Sequence, residues 1–137
     1  MSKTYNLFVS HSWSYSNHYD NLINLLDNRS YFSYKNFSVP QDDPIHTNGT
    51  DKQLYEAIYN KISPCHVILI VAGVYSSYSK WIDKEIDIAK NKFYVSKPII
   101  AIKPHGNVNV SSAVKNACDK LVNWNTESII AAIRELG

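Results

Sequence analysis

Two short apolar runs constrain the fold of this chain more than any other feature. Val67 to Ala72 and Pro98 to Ile102 are almost wholly aliphatic, and neither alternates between apolar and polar residues. A strand of this composition is usually covered on both faces, as in the middle of a parallel sheet. Segments with helical spacing of apolar residues stand before and after each run, and this alternation favours an α/β protein.

Strand-like and helix-like segments alternate five times along the chain. Strands are predicted at 6–10, 37–39, 67–72, 98–102 and 121–122. Helices are predicted from about residue 17 to 28, around 54–62, through the segment that carries Glu85, at 112–117, and after an N-cap at Thr126. The order predicts a three-layer, flavodoxin-like fold, in which a five-stranded parallel sheet of order 2-1-3-4-5 has helices on both faces.

The length of 137 residues fits a single domain over residues 1–137 and is too short for two. Hydrophobic residues make up 45% of the chain and charged residues 19%, as in ordinary soluble domains. The formal net charge is only +2, with no block of like charges, so no nucleic-acid partner is predicted.

The sequence predicts a cytoplasmic protein with no membrane partner. The first residues lack the apolar core of a signal peptide, and the longest apolar run, Val67 to Tyr75, is too short to span a bilayer. Cys65 and Cys118 have no CxxC spacing, which fits a reducing compartment, although the sequence leaves open whether they pair.

Glu85 is the most unusual charged residue of the predicted helices. At about 100° per residue, Ile82, Ile86, Ala89 and Phe93 form a narrow apolar stripe, and Glu85 lies about 60° from its centre. No Lys or Arg stands three or four residues away to pair with it. We therefore expect a carboxylate between core and solvent, without a local cationic partner, and a functional site would explain it.

The predicted topology places Glu85 beside the expected ligand site. Sheets of this order bind ligands at the carboxyl ends of their strands, next to the switch point between the first and third strands. The segments 10–16 and 73–79 follow those two strands, and the second leads directly into Trp81 and Glu85. Helical phase and topology thus predict the same location.

Several chemistries lack the residues they need. No GxGxxG, GxxxxGK[ST] or GxSxG motif occurs, which excludes dinucleotide-binding, P-loop and serine-elbow sites. No carboxylate ends the first or third strand, so a receiver-type magnesium site is excluded. The five histidines are scattered, and no metal site is predicted. The hydroxyl-rich segment 10–16 precedes a helix and leaves phosphate or flavin binding open.

Cleavage of a nicotinamide riboside bond is a chemistry that one carboxylate can serve. Ordinary glycosidases need two carboxyl groups, because one must protonate the leaving group. Nicotinamide already carries positive charge and leaves as a neutral molecule, so no general acid is required. A single carboxylate that binds the ribose hydroxyls can stabilise the oxocarbenium-like ribose. An aromatic side chain such as Phe8, Trp13 or Trp81 could hold the flat ring.

Motifs along nearly the whole chain resemble those of TIR domains. Residues 5–11 (Tyr-Asn-Leu-Phe-Val-Ser-His) resemble the opening strand motif, residues 42–44 (Asp-Asp-Pro) resemble the second motif, and residues 123–125 (Asn-Trp-Asn) stand where the family has Phe-Trp. Ser77, Trp81 and Glu85 match the serine, tryptophan and catalytic glutamate of the NAD-cleaving TIR enzymes. The resemblance is closest to the short prokaryotic TIR-like proteins of Thoeris anti-phage defence.

This resemblance implies an NAD-cleaving enzyme, with NAD as the substrate and no separate cofactor. It implies that Glu85 is catalytic, that Phe8 and Trp81 pack around the nicotinamide-ribose, and that nearby polar groups are bound by Ser10, His11 and Ser77. It further implies a cyclic ADP-ribose isomer as a diffusible signal to a separate effector protein. Activity would await a trigger during phage infection, with a homo-oligomer as the activated form.

Two other classes of function stay open at the level of sequence. One is a non-enzymatic TIR adaptor that acts by self-association, which would not need a carboxylate at Glu85. The other is a flavin-binding domain of the flavodoxin type.

Overall fold

The computed structural model describes residues 3–10, 18–37, 50–71, 79–103 and 112–137. Its strands are β1 (Thr4–Val9), β2 (Ser33–Asn36), β3 (Val67–Val71), β4 (Ile99–Lys103) and β5 (Lys120–Asn123). Its helices are α1 (His18–Asp27), α2 (Asp51–Ile62), α3 (Ser79–Asn91), α4 (Ser112–Ala117) and α5 (Thr126–Leu136). The strands form one sheet of order β2-β1-β3-β4-β5, and each neighbouring pair is parallel. The predicted fold class is confirmed.

The two faces of the sheet are covered by different helices. Alternate strand residues, including Leu7, Leu69 and Ile100, pack against α1 and α5 in one apolar cluster. The residues between them, including Phe8 and Ile68, pack against α2, α3 and α4 in a second cluster. Successive side chains of a strand point to opposite faces, so the non-alternating apolar runs of β3 and β4 fill both clusters. The result is the predicted three-layer arrangement.

Side chains at the helix starts explain where α2 and α5 begin. Thr50 accepts a hydrogen bond from the backbone N–H of Gln53 at 3.1 Å, and the Gln53 side chain accepts one from the Thr50 backbone N–H at 2.9 Å. This reciprocal pair is a capping box. At α5 the N-cap is Asn125, whose Oδ1 accepts from the Ser128 N–H at 3.0 Å. The prediction of Thr126 as the N-cap was wrong by one residue.

The second strand also differs from its prediction. It was placed at 37–39, but β2 runs from Ser33 to Asn36 and pairs in register with residues 4–7 of β1. Phe37 adds one further ladder bond, from its N–H to the Leu7 carbonyl at 2.9 Å, while residues 38 and 39 lie outside the described residues. The prediction of this strand was wrong because β2 is a short, largely exposed edge strand without an apolar run.

Both cysteines are free thiols. Cys65 is buried in the second cluster, its Sγ donates to the Lys61 carbonyl at 3.1 Å, and burial raises the pKa of its thiol to about 12. A thiol with so high a pKa stays protonated at neutral pH, so Cys65 acts as an apolar core residue. Among the described helices, none combines the length and the apolar character that crossing a membrane requires.

Candidate functional site

The candidate site lies where β1 ends and α3 begins. Ser10 directly follows β1, and its backbone N–H donates to the carbonyl of Leu69 in β3 at 3.0 Å. This bond fixes the carboxyl ends of the two strands beside one another. α3 is the helix that follows β3, and Glu85 lies in its second turn. The side chain of Ser10 lowers the pKa of Glu85, so the two residues lie near one another beside the switch point of the sheet.

Glu85 is completely buried, with 0% of its surface exposed. Neither carboxyl oxygen has a hydrogen-bond partner among the described residues. Burial without compensating donors disfavours the charged form and raises the pKa of Glu85 to about 8. The side chain of Ser10 lowers this pKa, but by less than burial raises it. At neutral pH the carboxyl group is therefore mainly protonated in this conformation.

The burial of Glu85 corrects the predicted orientation of α3. The sequence placed this residue at the edge of a stripe that includes Ile86 and Phe93, yet both of these are only partly buried. Among residues 83–91, the part of α3 whose side chains are described, the fully buried positions are Glu85, Ile88 and Ala89, so the glutamate lies at the middle of this buried face. The reason is that α3 contacts α2 on one side and α4 on the other, which covers a wider face than the apolar stripe.

The other predicted site residues fall into two groups. Phe8 and Ser10 are described, with 1% and 0% of their surface exposed, and Phe8 belongs to the same core cluster as Ile88. Trp81 lies on α3, one turn before Glu85, but its side chain is outside the described set. His11 and Ser77 lie outside the described residues. The structure thus brings Ser10 and Glu85 together and shows no geometry for the remaining polar contacts.

Within the described ranges, no group of three or more His, Cys, Asp or Glu side chains could hold a metal ion. The chemistry that the described site offers is that of one carboxyl group beside one hydroxyl group. A neutral carboxyl in an apolar setting ionises when a cation approaches, because a positive charge nearby favours the carboxylate. A site of this kind suits a ligand or a transition state that carries positive charge.

The sequence reasoning identified Glu85 but missed the extent of its burial. The signal that could have shown it is the pair Ile88 and Ala89, which stand three and four residues after Glu85 and flank it on one helix face. Centring the buried face on this pair would have placed the carboxyl group inside the core.

Comparison with known proteins gives a family match and several matches of fold. The family model described as "Thoeris protein ThsB, TIR-like domain" matches residues 8–109. The crystal structure of the IL-17 receptor B SEFIR domain is similar, with a TM-score of 0.60 and 9% sequence identity over 97% of this chain and 94% of that chain. Identity this low shows a shared fold alone. No curated protein matches the chain.

Proposed function

Because this chain belongs to the TIR-like domain family of the Thoeris protein ThsB, we propose that it cleaves NAD at the nicotinamide–ribose bond with Glu85 as the catalytic residue. The observation that supports this proposal best is the buried, unpartnered carboxyl group at the switch point of the sheet. Burying such a group costs stability, so its presence calls for a role that an apolar side chain could not fill.

The chemistry of NAD fits a carboxyl group in this state. The nicotinamide ring of NAD is a cation, and its approach would favour the ionised form of Glu85. The carboxylate would then stabilise the oxocarbenium-like ribose while nicotinamide leaves as a neutral molecule. Protonation of the leaving group is unnecessary, so one carboxyl group suffices. Ser10 would assist because its side chain already favours the charged form of Glu85.

Trp81 and Phe8 would pack around the nicotinamide-ribose, and His11 and Ser77 would bind polar groups of the substrate. Capture of the ribosyl cation by a hydroxyl group of the same ADP-ribose would give a cyclic isomer, provided that water is excluded and the adenosine folds back. Such a product would be a diffusible signal, read by a separate effector protein of the Thoeris system. This part of the proposal rests on the family alone.

The decisive experiment compares the parent chain with Glu85→Gln. Each protein is expressed in cells that are then infected with phage, and small molecules are measured by mass spectrometry. We expect the parent to deplete NAD and produce a species with the mass of cyclic ADP-ribose. Glu85→Gln keeps the size of the side chain but cannot become negatively charged, so turnover should fall by about 100-fold or more.

Circular dichroism establishes that Glu85→Gln is folded, and Asp119→Asn serves as a carboxyl-to-amide control far from the site. Equal NAD loss with parent and Glu85→Gln would refute the catalytic role. If NAD is unchanged with both the parent and Glu85→Gln, and the parent chain self-associates in infected cells, the adaptor function would be favoured instead.

A further inference from the structure

Three lysines converge at the amino ends of the strands, on the edge of the sheet opposite Glu85. Lys3 immediately precedes β1, Lys61 lies in the last turn of α2, and Lys97 lies two residues before β4. Lys97 Nζ donates to the Ser63 carbonyl at 3.0 Å, which holds it over the end of α2. These lysines lie in three separate segments of the chain, so the sequence shows no run of positive charge.

The three lysines have no acidic partner in the described part of the chain. The ion pairs there join Arg29 to Glu127, Lys90 to Asp119 and Lys120 to Glu135. The charge of the cluster acts on two buried or half-buried neighbours. The pKa of His66 is lowered by burial and then by Lys3 and Lys97, while Lys97 and Lys61 oppose the effect of burial on the Cys65 thiol. The three lysines therefore give this part of the amino edge a local positive potential.

Aromatic side chains continue this edge along α2 and the segment after α3. The Tyr59 ring stacks on Phe93 with centroids 4.9 Å apart, and Lys97 Nζ lies 5.0 Å from the Phe93 centroid. Tyr94 and Val95 are exposed, at 105% and 73%. A depression of about 350 Å³ lies beside Tyr59, and it is lined by Tyr55, Glu56, Tyr59 and Asn60. An exposed apolar surface next to a charged cluster is typical of interaction sites.

We propose that this amino-edge surface, made of Lys3, Lys61, Lys97, the aromatic residues 55, 59, 93 and 94, and Val95, docks an acidic segment of a partner protein. Carboxylates of the segment would face the three lysines, and an apolar side chain would enter the depression beside Tyr59. Charge complementarity selects an anionic partner. Three lysines on a chain of net charge +2 are few for nucleic acid. The rings of Tyr55 and Tyr59 suit an apolar side chain as anchor, while Glu56 in the same lining requires the carboxylates of the segment to lie at the lysines and not in the depression.

The test measures binding of a fluorescent peptide of alternating glutamate and leucine, and of the same peptide with glutamine in place of glutamate. We expect the parent chain to bind the glutamate peptide at least tenfold more tightly, with affinity that falls as salt is added. The triple variant Lys3→Gln, Lys61→Gln, Lys97→Gln should lose this preference. The matched control is Lys52→Gln, Lys84→Gln, Lys103→Gln, which removes three lysines from the opposite edge and should bind as the parent does.

Two further measurements keep the test decisive if the triple variant folds poorly. The double variant Lys3→Gln, Lys61→Gln spares the Lys97 hydrogen bond and should weaken binding about threefold or more. In the parent, the glutamate peptide should raise the pKa of His66, followed by NMR, because it offsets the charges of Lys3 and Lys97.

Equal binding of the two peptides, or equal loss in the triple variant and its control, would overturn the proposal. So would tighter lysine-dependent binding to an oligonucleotide or to anionic phospholipid vesicles, each of which would identify a different class of partner. None of these measurements involves NAD, so their outcome is independent of the proposed activity.

Discussion

Glu85 and Asp119 are carboxyl groups at opposite edges of the same sheet, and their surroundings differ completely. Asp119 precedes β5, and its Oδ2 accepts hydrogen bonds from Lys90 Nζ and, at 2.8 Å, from the Ile99 backbone N–H. Glu85 has no such donor among the described residues and is fully buried. Asp119 links the start of β5 to β4 and α3 and therefore has a structural role. Glu85, by contrast, lowers the stability of the fold, because no hydrogen bond among the described residues offsets its burial.

The largest effect expected from this difference is a pH-dependent gain of stability in Glu85→Gln. The folded protein holds the pKa of Glu85 at about 8, above its ordinary value of 4.5. The folded state therefore binds this proton more tightly than the unfolded state. The contribution is complete below about pH 4.5 and is lost as the pH rises through 8. At about 1.4 kcal/mol per pKa unit, the loss is on the order of 5 kcal/mol.

Chemical denaturation of parent and Glu85→Gln between about pH 5 and about pH 9 checks this expectation. This range covers most of the interval over which the contribution of Glu85 to stability is lost. The stability of the variant relative to the parent should increase as the pH rises to about 8 and should level off above it. If the unfolding free energies of the two proteins changed in parallel with pH, the ionisation of Glu85 would cost no stability. The contrast with Asp119 would then disappear.

A smaller effect of opposite sign is expected for Asp119→Ala. This change leaves the N–H of the fully buried Ile99 without its side-chain acceptor. Leaving such a donor unsatisfied costs about 1–3 kcal/mol of unfolding free energy. Thermal or urea denaturation would measure the loss.

Asp119→Asn separates the two interactions of Asp119, because it keeps an oxygen for Ile99 while removing the charge opposite Lys90. It should be less destabilising than the alanine variant. NAD cleavage should survive in both, and a large loss of activity in folded Asp119→Asn would place this edge inside the functional site.

The smallest effect is expected for Ser10→Ala, which tests the only described group that favours the charged form of Glu85. Removing the hydroxyl should raise the pKa of Glu85 further. The free-energy change should be smaller than that of an ordinary hydrogen bond, about 1 kcal/mol, because neither Glu85 oxygen has a hydrogen-bond partner among the described residues. Carbon-13 NMR titration of the glutamate side chains would measure it. A pKa that falls in Ser10→Ala would show that the hydroxyl stabilises the neutral carboxyl instead.

The fold could be predicted because β3 and β4 have a residue composition that is recognisable in the local sequence. β3 is aliphatic throughout and β4 is aliphatic up to its last residue, Lys103, and this pattern indicates inner strands of a parallel sheet. β2 was misplaced because an exposed edge strand has no such pattern, and its position is set by pairing with β1. Local sequence cannot show this pairing, since the partner lies far away in the chain.

Topology predicted that the helix carrying Glu85 follows β3 at the carboxyl edge of the sheet. Helical phase placed Glu85 at the edge of the buried face, which was wrong, because its burial depends on how α2 and α4 flank α3. The same limit applies to the amino-edge surface. Lys3, Lys61 and Lys97 are scattered in sequence and become neighbours only when three strand starts align.

The position of β1 between two neighbouring strands has a consequence for synthesis of the chain. Leu7 pairs with Asn36 on one side and with Val67 on the other. Ribosomes add about 5–20 residues per second, so the first strand waits several seconds for its second partner. During that time its apolar face is open to other nascent chains. Slower elongation would lengthen this exposure, and chaperones that bind extended apolar segments would protect the chain most before β3 emerges.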